Sequence, residues 1–336
     1  MRRVGGRASL ACVWLAVASG AAGAPGGSEH GLPLVRSFAP AEHGGRSQSF
    51  SVAEDRRGLL YVGNLKGLLE YDGARWRLIT LPNESAVFDV AVAADGRVYA
   101  GGWDELGVLV PDPRGELAYS SLVDRLPKGL RPLGRVRAVH AVGASVCFRT
   151  ETRLFLWDGK AMRVVPAPPG GAFGGSFEAG DGELWAATPA GLARVTPEGV
   201  ELLPEASRFA GERVDAVVPS GPDRRLVVVR GRGPLLLEGG VARPTGSGAA
   251  RLLDESEVEG GALLPDGRVA LATRRRGVVV LTPGFAVDEV AGTAEGLPGE
   301  DVRAVHVARD GALWVALDTG LSRVELSSPV SVFDRR

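Results

Sequence analysis

Residues 182–187 read Gly-Glu-Leu-Trp-Ala-Ala and residues 311–316 read Gly-Ala-Leu-Trp-Val-Ala. Each copy is followed nine residues after its first glycine by Gly-Leu, at Gly191-Leu192 and Gly320-Leu321. The same frame fits Gly58-Leu59-Leu60-Tyr61-Val62-Gly63 with Gly67-Leu68. With looser spacing it fits the runs 96–101 with Gly107 and 267–272 with Gly277. Two degenerate copies run through Gly143 and through residues 223–229 with Gly233. Upstream of the frame, Val136 and Val302 both open the run Val-Arg-Ala-Val-His. Seven copies recur at about 40 residues, a period that marks internal duplication and decides the architecture before any single residue does.

Each copy has the physics of a small antiparallel sheet. A half-apolar run such as residues 87–92 leads into Asp95-Gly96, a pair that tolerates the positive φ a tight hairpin demands. A second turn is centred on Gly67 or its equivalents. A third, such as Tyr71-Asp72-Gly73 or Trp157-Asp158-Gly159, sends the chain into a fourth strand. Four short strands per period predict a blade, and seven blades predict an all-β, seven-bladed β-propeller. Helix-pair repeats need uninterrupted windows of apolar positions at i, i+3 and i+4, and 48 Gly and 22 Pro interrupt them. A β-helix has much shorter coils. Residues 32–38 look like a displaced outer strand that completes the last blade, and residues 329–333 compete for the same place. Both cannot fill it, so a missing eighth unit, leaving the propeller incomplete at the C-terminus, or a strand docked elsewhere is the expected irregularity.

Composition fits a globular β protein: 45% hydrophobic, 24% charged, and 39 basic against 40 acidic residues. No basic footprint for nucleic acid is present. Arg2, Arg3 and Arg7 precede an apolar stretch, residues 8–18, and then small residues, 19–24, which is the layout of a secretory signal peptide. Eleven apolar residues are too few to cross a bilayer core of about 30 Å, and no later stretch reaches roughly 20. The expected organisation is a signal peptide at 1–24, an N-terminal segment with a closing strand at 25–46, and the propeller at 47–336. The expected location is the periplasm or the exterior, with no membrane span beyond the leader. Cys12 falls in the leader, so Cys147 is expected as a lone buried thiol.

The catalytic inventory is thin. Four His stand at 30, 43, 140 and 306 without metal-ligand spacing, and no HExxH, CxxC or Asp-rich calcium loop is present. His140 and His306 hold the same place in two copies, which reads as duplicated inner strands rather than paired ligands. Neither a metal nor a cofactor is expected.

Residues 34–79, LVRSFAPAEHGGRSQSFSVAEDRRGLLYVGNLKGLLEYDGARWRLI, with Asp95-Gly96-Arg97-Val98-Tyr99 after them, resemble the first blades of the two-component regulator propeller proteins. The Leu-Trp-(Val/Ala)-Ala…Gly-Leu units at 184–192 and 313–321 are similar to that family's repeat as well. The resemblance implies an extracytoplasmic sensory propeller, placed in many members ahead of a β-sandwich, a membrane helix and a cytoplasmic kinase, cyclase or DNA-binding output. Those parts are not in these residues, so the output lies outside them or is reached through a membrane-bound signalling partner.

In a propeller, the loops joining second to third strands and one blade to the next lie around one mouth of the central channel. That places Asn64, Lys66, Trp103, Asp104, Glu105, Arg230, Arg232, Arg274, Arg275 and Arg276 there, with Asn83, Glu84 and Asp318 beside them. Five arginines from blades five and six suggest a clamp for carboxylate, sulfate or phosphate. Trp103 suggests a stacking platform for a sugar ring. Arginine is also this chain's default cation, with three Lys, at 66, 128 and 160, among 39 basic residues, so the same turns suit plain solubility. The first expectation is a sensor or binding propeller for a small molecule or oligosaccharide, with no catalytic activity of its own. The alternatives are a propeller lyase or hydrolase acting on a carbohydrate or cyclic substrate with His140 or His306 as base, and a protein-interaction scaffold.

Overall fold

The computed structural model describes residues 33–168, 171–180 and 182–326. They form seven antiparallel sheets of four strands each. Each of the first six blades is built from consecutive strands; in the first these are Ser49–Glu54, Leu60–Asn64, Gly67–Tyr71 and Trp76–Ile79. Inner strands follow at Val87–Val92, Ala138–Val142, Gly175–Glu178, Val214–Gly221, Val258–Leu263 and Val302–Val307. Each packs on the inner strands of both neighbours, and the cycle returns from Val302–Val307 to Ser49–Glu54.

The repeated frame has a direct physical reading. Its Leu-Trp-Val-Ala core is the second strand, buried over all five residues in Leu60–Asn64, Leu184–Thr188 and Leu313–Leu317, because both faces of a blade's middle are covered by adjacent blades. The first glycine turns the first hairpin: Gly58, Gly96, Gly267 and Gly311 all have φ of +85°. The glycine nine residues on starts the third strand where the next segment passes close. A Cβ on Gly191, at φ +121°, would fall 1.9 Å from the carbonyl oxygen of Ala206.

The seventh blade is completed from the other end of the chain. Its fourth strand is Leu34–Phe38, antiparallel to Gly320–Glu325 with Leu34 opposite Glu325 and Phe38 opposite Leu321. Phe38 is 3% exposed and stacks on Trp314 with ring centroids 5.3 Å apart, in a cluster that spans blades seven and one. Residues 329–333, the competing candidate, lie outside the described residues. The other buried apolar clusters likewise fill the wedges between blades. Cys147 is free and buried there, and burial pushes its thiol up to about 12, which makes it an inert filler. Among the described residues, no helix is long and apolar enough to cross a membrane.

Candidate functional site

The inner strands do not enter the ring regularly. In blades one, two, five, six and seven the ladder between first and second strands skips one residue at its start. The skipped residues are Phe50, Phe88, Asp215, Glu259 and Arg303. A bulge of this kind leaves the extra residue unpaired and re-aims its side chain. All five line the central channel, a cavity of about 980 Å³. The register of the remaining two blades puts Arg137 and Gly174 at the same level, one residue before Ala138 and Gly175. Seven equivalent positions therefore carry two Phe, two Arg, two carboxylates and one Gly.

Charge is distributed unevenly around this mouth. On the side of blades five to seven every carboxylate of the ring meets a guanidinium. Asp215 accepts from Arg213 Nε at 2.9 Å and Arg230 Nε at 3.0 Å. Glu259 lies 3.6 Å from Arg274, which also donates to Asp301. Arg303 donates to Asp318 at 2.6 Å. Arg232 faces Glu212 at 3.4 Å, Arg275 pairs with Glu257, and Arg276 faces Glu255 at 3.4 Å. The structure thus gives each of the five arginines singled out in the sequence a carboxylate partner and does not bring the five together as one clamp.

Blades one to three differ. Phe50 and Phe88 meet edge to face at 5.1 Å, and the Arg135 guanidinium lies 3.9 Å over the Phe88 ring. Arg149, on the second strand of blade three, is 8% exposed and donates from Nε to Ser176 Oγ at 2.8 Å. Burial, and then the Arg137 charge beside it, lower its pKa to about 10, so it is still a cation at neutral pH. Ser176 Oγ also lies 2.8 Å from His140 Nε2. The other ring nitrogen of His140, Nδ1, faces Glu178 at 3.5 Å. Asp89 accepts from the backbone N–H of Val139 at 2.7 Å and of Val90 at 2.9 Å, and burial raises its pKa against the opposing pull of His140. His306, the counterpart of His140, has a buried Nε2 without a hydrogen-bond partner among the described residues, and burial lowers its pKa.

The remaining residues singled out in the sequence are dispersed. Asn64 is fully buried and holds the loop before the first blade. Lys66 donates from Nζ to the carbonyl of Gly44. Trp103 is 54% exposed on the rim, with a backbone bridge to Arg135. Asp104 accepts from the backbone N–H of Gly134, and Glu105, 6% exposed, accepts from Ser121 Oγ. Asp104 and Glu105, with Asn83, line a separate cleft of about 650 Å³. Sequence reasoning missed Phe50, Phe88, Arg135, Arg137 and Arg149. The one available signal was Arg149 itself, a charge inside a strand that is otherwise Val146-Cys147-Phe148.

No protein-family model matches this chain, and no curated protein matches it. Solved structures do. The extracellular domain of the putative hybrid two component system BT4673 from B. thetaiotaomicron is 17% identical, with a TM-score of 0.67 over 89% of this chain and 40% of that one. The corresponding domain of BT3049 is 15% identical, with a TM-score of 0.64 over 88% and 42%. This chain therefore spans about two fifths of those sensor domains. Virginiamycin B lyase from Staphylococcus aureus, in a catalytically inactive form with quinupristin, is 12% identical, with a TM-score of 0.63 over 88% and 99%.

The lyase match corrects one expectation drawn from sequence, that the chain has no catalytic activity of its own. A lyase shares this fold about as closely as a sensor domain does, over almost its full length. That expectation rests on the absence of local motifs from the sequence. A propeller channel instead assembles side chains from separate blades, as His140, Ser176 and Asp89 show, and no local motif records that. The chain is a seven-bladed propeller whose fold is similar to that of the extracellular domains of two two-component systems and to that of a virginiamycin B lyase.

Proposed function

We propose that the chain is an extracytoplasmic ligand-binding propeller of a signalling system. It takes a small molecule or oligosaccharide at the channel mouth and hands the signal to a membrane-bound partner. The observation that carries this reading is the asymmetry of the bulge ring. A scaffold that works through its flat faces makes no demand on the channel lining, whereas here aromatic, cationic and anionic groups are sorted to different sides of one cavity, as in a site with a few placed polar groups. The leader-like N-terminus, the resemblance of residues 34–109 to sensory propellers and the likeness in fold support the same role. Fold alone does not assign a function.

Thermal shift against a panel of neutral and acidic oligosaccharides tests it. A hit should be weakened about tenfold or more by Phe50→Ala combined with Phe88→Ala, because the pair supplies the aromatic surface of the mouth. A hit that ignores these changes and is instead lost on replacing Trp103, Asp104 and Glu105, or Arg230, Arg232, Arg274, Arg275 and Arg276, would move the site to the outer rim.

A second reading, chemistry in the same channel, is favoured by His140. Its Nε2 lies 2.8 Å from Ser176 Oγ and its Nδ1 lies 3.5 Å from Glu178, and with the ring proton on the Glu178 side the free Nε2 would be suited to accepting a proton. Any compound bound in the panel should then be converted by the parent chain and recovered unchanged from His140→Asn, as read by mass spectrometry. Recovery of the intact compound from both proteins counts against catalysis.

A further inference from the structure

We propose that blade three carries a buried oxyanion site, built on Arg149 with Arg135 and Arg137, that takes a carboxylate, sulfate or phosphate group inside the channel mouth. The proposal rests on the channel as ligand mouth and names the chemistry of its ligand.

Three observations converge. The first is position. Arg149 stands opposite Ala138, and the equivalent residue of the other blades is Gly63, Gly101, Ala187, Val228, Ala272 and Ala316. Six blades keep a small apolar residue where the second strand meets the inner one, and blade three alone inserts a guanidinium.

The second is missing compensation. A buried cation is retained at a large desolvation cost unless an anion meets it. The other arginines lining this channel, Arg213 and Arg303, have carboxylates at 2.9 and 2.6 Å. Among the described residues, no carboxylate lies within ion-pair distance of Arg149 or Arg135. Arg149 spends Nε on Ser176 and reaches the carbonyl of Phe173 only at 3.5 Å, leaving most of its fork without a protein acceptor. The Nε of Arg135 is buried without a hydrogen-bond partner among the described residues.

The third is crowding by like charge. Arg137 and Arg135 both repel the Arg149 cation against the pull of Asp89, and Arg137 and Arg303 repel Arg135 against that of Glu259, neither carboxylate being within ion-pair distance. The nearest carboxylate to Arg137 is Glu151 at 3.8 Å, and that pair is largely open to solvent, where it is worth little. An oxyanion between Arg149 and Arg135 relieves all of these at once, and guanidinium forks match its geometry.

The test is thermal melting of the purified chain in phosphate, sulfate or acetate, each against chloride at matched ionic strength. The parent should show a saturable rise with at least one oxyanion, and the three arms identify the group preferred. Arg149→Met, which keeps bulk and removes charge, should melt at or above the parent in chloride and lose the rise. Arg149→Lys should keep a rise with affinity about tenfold weaker, one fork hydrogen bond having been lost. Arg135→Gln, which leaves the tie of Arg149 to Ser176 in place, should also weaken the response by about tenfold. An equal rise in chloride, or an undiminished rise in either variant, overturns the proposal. So does an Arg149→Met protein that melts lower than the parent in every buffer, because Arg149 is then only a tie to Ser176. If panel ligands bind and respond to Phe50 and Phe88 while no oxyanion acts, this site fails and the channel reading stands. If oxyanions act and no panel ligand does, the opposite holds.

Discussion

A chain lacking residues 33–38 should lose its cooperative thermal transition. Those residues supply the fourth strand of blade seven, paired with Gly320–Glu325 over five positions. They also supply Phe38, which stacks on Trp314 and meets Tyr71 and Trp76 edge to face at 5.7 and 5.4 Å. The cluster therefore belongs to two blades, and deleting the strand uncovers apolar faces on both. Phe38→Ala alone should cost about 3–5 kcal/mol, the range for truncating a buried aromatic ring. Against a total stability of about 5–15 kcal/mol, that is a large fraction, and removing the whole strand should exceed it. Calorimetry of both variants checks this. A deletion variant that melts cooperatively within a few degrees of the parent would show that another segment, residues 329–333 being the obvious one, fills the outer position.

Asn64→Ala should destabilise the chain by about 3 kcal/mol or more while leaving ligand response intact in whatever fraction stays folded. Its side chain is fully buried, and its Oδ1 accepts from the backbone N–H of Arg46 at 2.8 Å and of Lys66 at 3.1 Å. Its amide donates to the carbonyls of Arg46 and Gln48, both at 2.8 Å. Truncation orphans two donors and two acceptors, and each buried unsatisfied group costs about 1–3 kcal/mol, less where water reaches the loop. Urea titration supplies the stability, and binding in folded protein supplies the second readout. A variant of parental stability would sink this account, and one with parental stability and lost binding would return Asn64 to the list of ligand contacts.

The fold was legible because its signals are local. Gly182-Glu183-Leu184-Trp185 carries the turn glycine and the buried strand in consecutive residues, and the Asp-Gly hairpins state their own geometry. The blade whose second glycine had decayed survives by other means: Thr150 Oγ1 accepts from the backbone N–H of Arg153 and closes the turn there. The site was less legible for two physical reasons. A bulge shifts Phe50 or Arg303 out of the period-two alternation by a single residue, and alternation read from sequence has no term for that. The arginines at 230, 232 and 274–276 were visible as charges, but their carboxylates come from other loops, Asp301 from the approach to blade seven and Glu255 and Glu257 from the approach to blade six. A sequence shows where charges are and hides which of them cancel.

The pairing of Leu34–Phe38 with Gly320–Glu325 also fixes how the ring bears load. The strands are antiparallel, and Leu34 opposite Glu325 sets residues 33 and 326 side by side at one end of the pair. A pull applied through those two residues peels the pair apart one rung at a time, starting at Leu34 and Glu325, instead of shearing all the rungs together. Tension would part the disc at blade seven before it reached the other six, so the seam that closes the ring is also its mechanical fuse.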